Sequence, residues 1–151
     1  MTRKYTFLTA LIEGIAGELV LAAPTVPYHF DDSGAPYPSG KLGIYRDTIP
    51  EIQYPTITIS AYETVEGADT NVSVQFRIAS KDSREGDAIT ADIRGAFDHR
   101  WGGRLGPLNE IQTAYSKRES GTLLPQDGMG RGVRTENYSF RVNWPNPNHP
   151  A

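Results

Sequence analysis

Along this chain the apolar residues keep two different periods. In PTITISAYE, Ile57, Ile59 and Ala61 point one way, while Thr58, Ser60 and Tyr62 point the other. In NVSVQFRIA, Val72, Val74, Phe76 and Ile78 form one face against Ser73, Gln75, Arg77 and Ala79. Such alternation predicts strands with one buried and one wet face, as in an antiparallel sheet. The polar link from Glu66 to Asn71 predicts that they form a hairpin. Helical spacing holds on either side. Leu8, Leu11, Ile12, Ile15, Leu19 and Val20 make one stripe, with Glu13 and Glu18 off it, and Pro24 and Pro27 end the helix. Gly14 and Gly17 weaken this helix or let another backbone approach it. A second helix carries Ile89, Ile93, Phe97 and Trp101. Asp82, three residues before Glu85, starts it as an Asp version of the capping box, and Gly102-Gly103 is expected to stop it.

Strand spacing returns in the last third. Ile111, Thr113 and Tyr115 alternate with Gln112, Ala114 and Ser116. After a Gly/Pro-rich connection come Tyr138, Phe140, Val142 and Trp144 against Ser139, Arg141 and Asn143. The expected fold is therefore α+β. It is a single domain over residues 1–144, a four-stranded mostly antiparallel sheet with two helices packed on one face. Residues 145–151, rich in proline, are expected to form a flexible C-terminal tail. Residues 24–55 show no sustained period and read as a long Pro/Tyr-rich loop. Tyr28, Phe30, Tyr37, Tyr45 and Tyr54 are spread through it, so it is expected to pack on something.

Composition narrows the class. A chain of 151 residues can bury a core without staples. A net charge of −3 argues against wrapping nucleic acid by phosphate neutralisation. With no cysteine, disulfides and Cys-ligated metals are excluded. The apolar-rich region from Phe7 to Ala23 is too short and polar to span a bilayer and lacks the layout of a signal peptide, so a cytoplasmic compartment and no membrane are expected.

Candidate chemistry is sparse. His29 with Asp31 and Asp32 is the best metal-like cluster, yet with no recognisable further ligand it reads as a solvated polar turn. His99 sits near a helix end, where the dipole favours a cation. No Gly-x-Ser-x-Gly elbow is present, and GMGRG at Gly128–Gly132 precedes a strand, so it reads as a turn and not a phosphate loop. Glu85 and Asp87 read as solvated carboxylates. Arg77 and Arg141 project from the expected non-core face of the sheet with Gln75 and Asn143, either into solvent or against another subunit. No catalytic residue, metal site or cofactor is assigned, and an enzyme is not expected.

The order of elements, LIEGIAGELV, PTITISAYE, NVSVQFRIASKDSREGDAITADIRGAF and ENYSFRVNW, resembles the tail terminator or minor capsid (tail completion) family of long-tailed bacteriophages. The most specific part runs from Val74 to Phe97, where a strand ending in Gln-x-Arg is followed by an Asp-started helix; the closing Asn137–Val142 is the second. The resemblance implies a virion protein that assembles as a homo-hexameric ring at the tail–neck junction. Such a ring caps the tail tube, ends its polymerisation and presents a surface to a head completion or stopper protein. Genomic DNA would pass through its lumen without specific binding. On this reading Tyr28, Phe30, Tyr37, Tyr45, Ile49 and Tyr54 belong to a subunit or tail-tube interface, with Arg46 and Asp47 on its polar rim and Arg77 and Arg141 on the sheet. A head–tail connector of the neck, or a small ligand-binding or enzymatic domain using His29, Asp31 and Asp32, are the competing readings.

Overall fold

The two alternating stretches do pair, but in a wider sheet than four strands. The computed structural model describes residues 7–22, 28–30, 42–46, 56–65, 70–105, 111–124 and 132–143. In chain order these form α1 (Phe7–Ala22), β1 (Tyr28–Phe30), β2 (Leu42–Arg46), β3 (Thr56–Val65), β4 (Thr70–Ser80), α2 (Ser83–Phe97), β5 (Arg100–Trp101), β6 (Arg104–Leu105), β7 (Ile111–Leu124) and β8 (Gly132–Asn143). The sheet runs β1-β2-β3-β4-β8-β7-β5, with β6 also pairing β7. β1, β2 and β3 are parallel neighbours, and every other pairing is antiparallel. The architecture is α+β with a mixed sheet.

The four long strands are those that the periodicity predicts. The four additional ones hold two to five residues, too few to display a period. Two of them, β1 and β2, fall inside residues 24–55, so that segment is not one continuous loop; its residues 31–41 and 47–55 lie outside the described ones.

One apolar cluster joins the helices to the sheet. Leu11, Ile15 and Leu19 of α1 and Ile89, Ile93 and Phe97 of α2 are fully buried with Ile57, Ile59, Val74, Phe76, Ile78, Phe140 and Val142. Its centre is aromatic. The Phe76 ring lies 5.9 Å from Phe97 and meets Tyr138 edge-on at 5.4 Å, while Phe97 lies 5.5 Å from Phe140.

Asp82 caps α2 as expected, its carboxylate accepting from the Glu85 amide at 2.8 Å while Glu85 accepts from the Lys81 amide at 3.0 Å. The other end departs from expectation. The helix stops at Phe97, and His99 takes the left-handed conformation (φ 53°) before Gly102-Gly103 is reached. Those glycines, with φ of 77° and 95°, form the turn between β5 and β6. Trp101 accordingly leaves the helical stripe, lies on β5 and is 77% exposed.

β7 also breaks its expected alternation. Its register against β8 shifts between Thr113 and Tyr115 and again between Arg118 and Ser120. An extra residue in a strand turns every later side chain to the other face. Ser116 therefore joins Ile111 and Thr113 on the buried face, and Tyr115 turns away from the core. Truncating Phe76 or Phe140 to Ala is expected to cost about 3–5 kcal/mol, read as a fall in the midpoint of urea unfolding followed by circular dichroism.

Candidate functional site

With both helices on one side, the opposite face of the sheet is laid out in cross-strand rows. Trp101 pairs with Tyr115, Tyr115 with Arg141, and Arg141 with Asn71. The next row holds Lys117, Ser139, Ser73 and Tyr62. Further along, Gln75 donates to Asn137 at 3.1 Å, and Asn137 donates to Ser120 at 3.1 Å. Arg77 lies between Thr58 and Thr135. Trp101 packs on Tyr115 with ring centroids 4.1 Å apart, and the Tyr115 hydroxyl lies 2.8 Å from His99 Nδ1. Tyr62, Trp101, Arg77 and Arg141 are all exposed.

Of the residues singled out in the sequence, Arg77 and Arg141 therefore stand on one surface. Tyr45 is also on this face, paired with Thr58, but is buried. Arg46 takes the other side, where its guanidinium donates to Thr9 of α1 at 2.5 Å. Tyr28, His29 and Phe30 supply the backbone of β1, and their side chains are not among those described. Asp31, Asp32, Tyr37, Asp47, Ile49 and Tyr54 lie outside the described residues. Among the described residues, no group of three or more His, Asp or Glu side chains could hold a metal ion, and no helix is long and apolar enough to cross a membrane.

A second polar site lies on the helix side and has no signature in the sequence. Glu136 of β8 is only 2% exposed, on the same face as Tyr138 and Phe140. Arg94 of α2 donates from Nε to its Oε1 at 2.9 Å, and Arg94 Nη2 lies at the same distance. Arg118 of β7 grips both carboxylate oxygens, with Nε at 3.1 and 2.9 Å and Nη2 at 2.9 Å from Oε2. This hydrogen bonding to Glu136 raises the Arg118 pKa further above its already high ordinary value. Burial, helped by the charges of Glu136 and Asp98, pushes the Tyr138 phenol well above its usual range, so it stays neutral. Its hydroxyl is buried with no partner.

Beside this cluster Arg134 pairs with Asp87 at 2.8 Å, so Asp87 is an ion-pair partner and not simply a solvated carboxylate. Gly86 makes room for the arginine, because a Cβ there would meet its guanidinium at 2.8 Å. Gly121, opposite Glu136, does the same over the Arg118–Glu136 pair, where a Cβ would run into both charged groups. Together Thr90, Arg94, Arg118, Arg134, Glu136 and the Gly121–Leu123 edge line a cleft of about 160 Å³.

No known family model matches this chain, and no curated protein matches it.

Two substitutions test the buried charge. Gly→Ala at an unstrained site stabilises by about 0.4–1 kcal/mol. Gly121→Ala is expected to lower the melting temperature instead, because Glu136 is walled in and cannot yield. Tyr138→Phe removes a buried hydroxyl with no partner, so thermal melts are expected to show unchanged or higher stability, by up to about 1 kcal/mol.

Proposed function

We propose that this chain is a structural virion protein that assembles as a ring on the end of a phage tail tube, ends tube growth and forms the joint to the head. The observation that carries the reading is the sheet face opposite the helices, with Trp101, Tyr62, Arg77 and Arg141 exposed across it. Trp, Tyr and Arg are the residues enriched where proteins meet, because they bury large areas at small entropic cost and can bond at their tips. A sheet of this kind offers one closed face to its own helices and one open face to a neighbour. Identical subunits that meet through two different patches close into a ring when the rotation permits. The tyrosines and prolines of residues 24–55 support assigning the second patch to this segment. The overall charge of −3 suits a channel that passes DNA without holding it.

Two variants test the reading. Trp101→Ala combined with Arg141→Glu is expected to keep the wild-type circular dichroism and melting temperature while abolishing rings in negative-stain electron microscopy. Phage carrying it, or carrying a deletion of residues 33–41, are expected to make tails of uncontrolled length or heads without tails. Normal tails from both variants would sink the proposal. Rings of wild-type protein seated on the head portal and not on tube ends would make it a neck connector instead.

A further inference from the structure

The Arg-lined cleft lies beside a part of the sheet that has no neighbour among the described strands. β5 pairs β7 only at Tyr115 and Ser116, and β6 only at Gln112 and Ile111. The Arg118 amide is taken by the Asp98 carboxylate at 2.9 Å. Beyond it, no described strand lies next to residues 119–124 on the side away from β8. Residues 119–123 are exposed, Leu123 at 74%. An unpaired strand edge presents alternate N–H and C=O groups ready to accept another strand.

The cleft facing that edge is electropositive. Three arginines line it; Arg134 is held by Asp87, which leaves Arg94 and Arg118 sharing the single carboxylate of Glu136. Arg94 and Arg118 engage Glu136 through Nε and Nη2. Thr90, which also lines the cleft, is 6% exposed, and its hydroxyl oxygen is buried without a hydrogen bond. A buried hydroxyl left unpaired is unfavourable, so an acceptor brought to it is favoured.

We propose that the cleft between α2 and the outer half of β7 docks an acidic side chain carried by an extended peptide segment of a partner protein, which adds to residues 119–124 as a further strand. The carboxylate accepts from the remaining guanidinium N–H groups of Arg94 and Arg118 and from the Thr90 hydroxyl. The peptide backbone completes the ladder of β7, and an apolar residue two positions from the acidic one covers Leu123, which lies on the cleft side of the strand. A peptide suits the place better than a nucleic acid, because an edge of alternating N–H and C=O groups is matched only by another backbone. Glu136 in the floor also limits the negative charge that the cleft can take. The site lies on the opposite side of the sheet from Trp101 and Arg141, so it and the ring interface can fail separately.

The test uses the whole chain and a fluorescent pentapeptide, valine–threonine–glutamate–threonine–valine, blocked at both ends. Fluorescence anisotropy is expected to detect binding that weakens about tenfold or more when the glutamate is glutamine. Arg94→Gln, which leaves Arg118 on Glu136, is expected to weaken it to a similar degree at a temperature where circular dichroism shows the variant folded. N-methylation of the two threonines is expected to abolish binding, and the unmodified peptide to slow amide exchange at residues 119–124. Equal binding of the glutamine peptide, or of the glutamate peptide to Arg94→Gln, would overturn the proposal. So would tighter binding of oligothymidylate or inorganic phosphate, which would make this a phosphate site.

Discussion

A carboxylate sealed at a helix–sheet seam has to be compensated there, and in this protein that requirement draws three elements to one point. An unpaired buried charge costs several kcal/mol, whereas a paired and fully hydrogen-bonded one is tolerated. Glu136 comes from β8, Arg118 from β7 and Arg94 from α2. The Arg134–Asp87 pair ties β8 to α2 a second time. The aromatic cluster of Phe76, Phe97, Tyr138 and Phe140 gives this seam its hydrophobic stabilisation, but hydrophobic attraction has no direction. Geometry comes from the charges. A slide of α2 along the sheet would leave the apolar surface largely buried and would pull Arg94 off Glu136.

That cluster depends in turn on the irregularity of β7. Without the first register shift, Ser116 would turn to the open face, and the last carbonyls of α2 would lose a partner. As it stands, the Ser116 hydroxyl donates to the Phe97 carbonyl at 2.8 Å. Arg118 comes two residues later on the same face, with its amide on Asp98 and its guanidinium on Glu136. The second shift sets Gly121 opposite Glu136, the one residue type that leaves space for the ion pair. The two bulges thus terminate the helix, aim the arginine and open the roof above it.

The sequence made some of this legible and hid the rest for physical reasons. β4 and β8 alternate without interruption at Val72–Ile78 and Tyr138–Val142, so their buried faces could be read directly. The core of α2 followed from Ile89, Ile93 and Phe97, and its start from Asp82. β7 misled because a bulge reverses its phase while the local pattern still looks like a strand. The short strands β1, β2, β5 and β6 carry too few residues for a period. Glu136 was invisible as a buried residue because its partners lie 18 and 42 positions away, and only the pairing of β7 with β8 and the packing of α2 bring them together. Trp101 looked like a continuation of the helix because Ile89, Ile93, Phe97 and Trp101 keep four-residue spacing through the point where His99 turns the chain.

The two faces of the sheet therefore differ in what they can still do. On the helix side, shape and charge are largely satisfied internally, and what the cleft offers is narrow: a few guanidinium N–H groups, the Thr90 hydroxyl and a short strand edge. A site of that kind can select one side chain on one extended segment. On the open side, hydrogen bonds such as Gln75–Asn137–Ser120 run along the surface and hold polar side chains flat, while Trp101 and Tyr62 stand exposed. A surface so arranged is preorganised over a wide area. The proposed wide contact with copies of itself and the proposed narrow contact with a partner strand are thus compatible in one chain, because the sheet keeps the two surfaces on opposite sides.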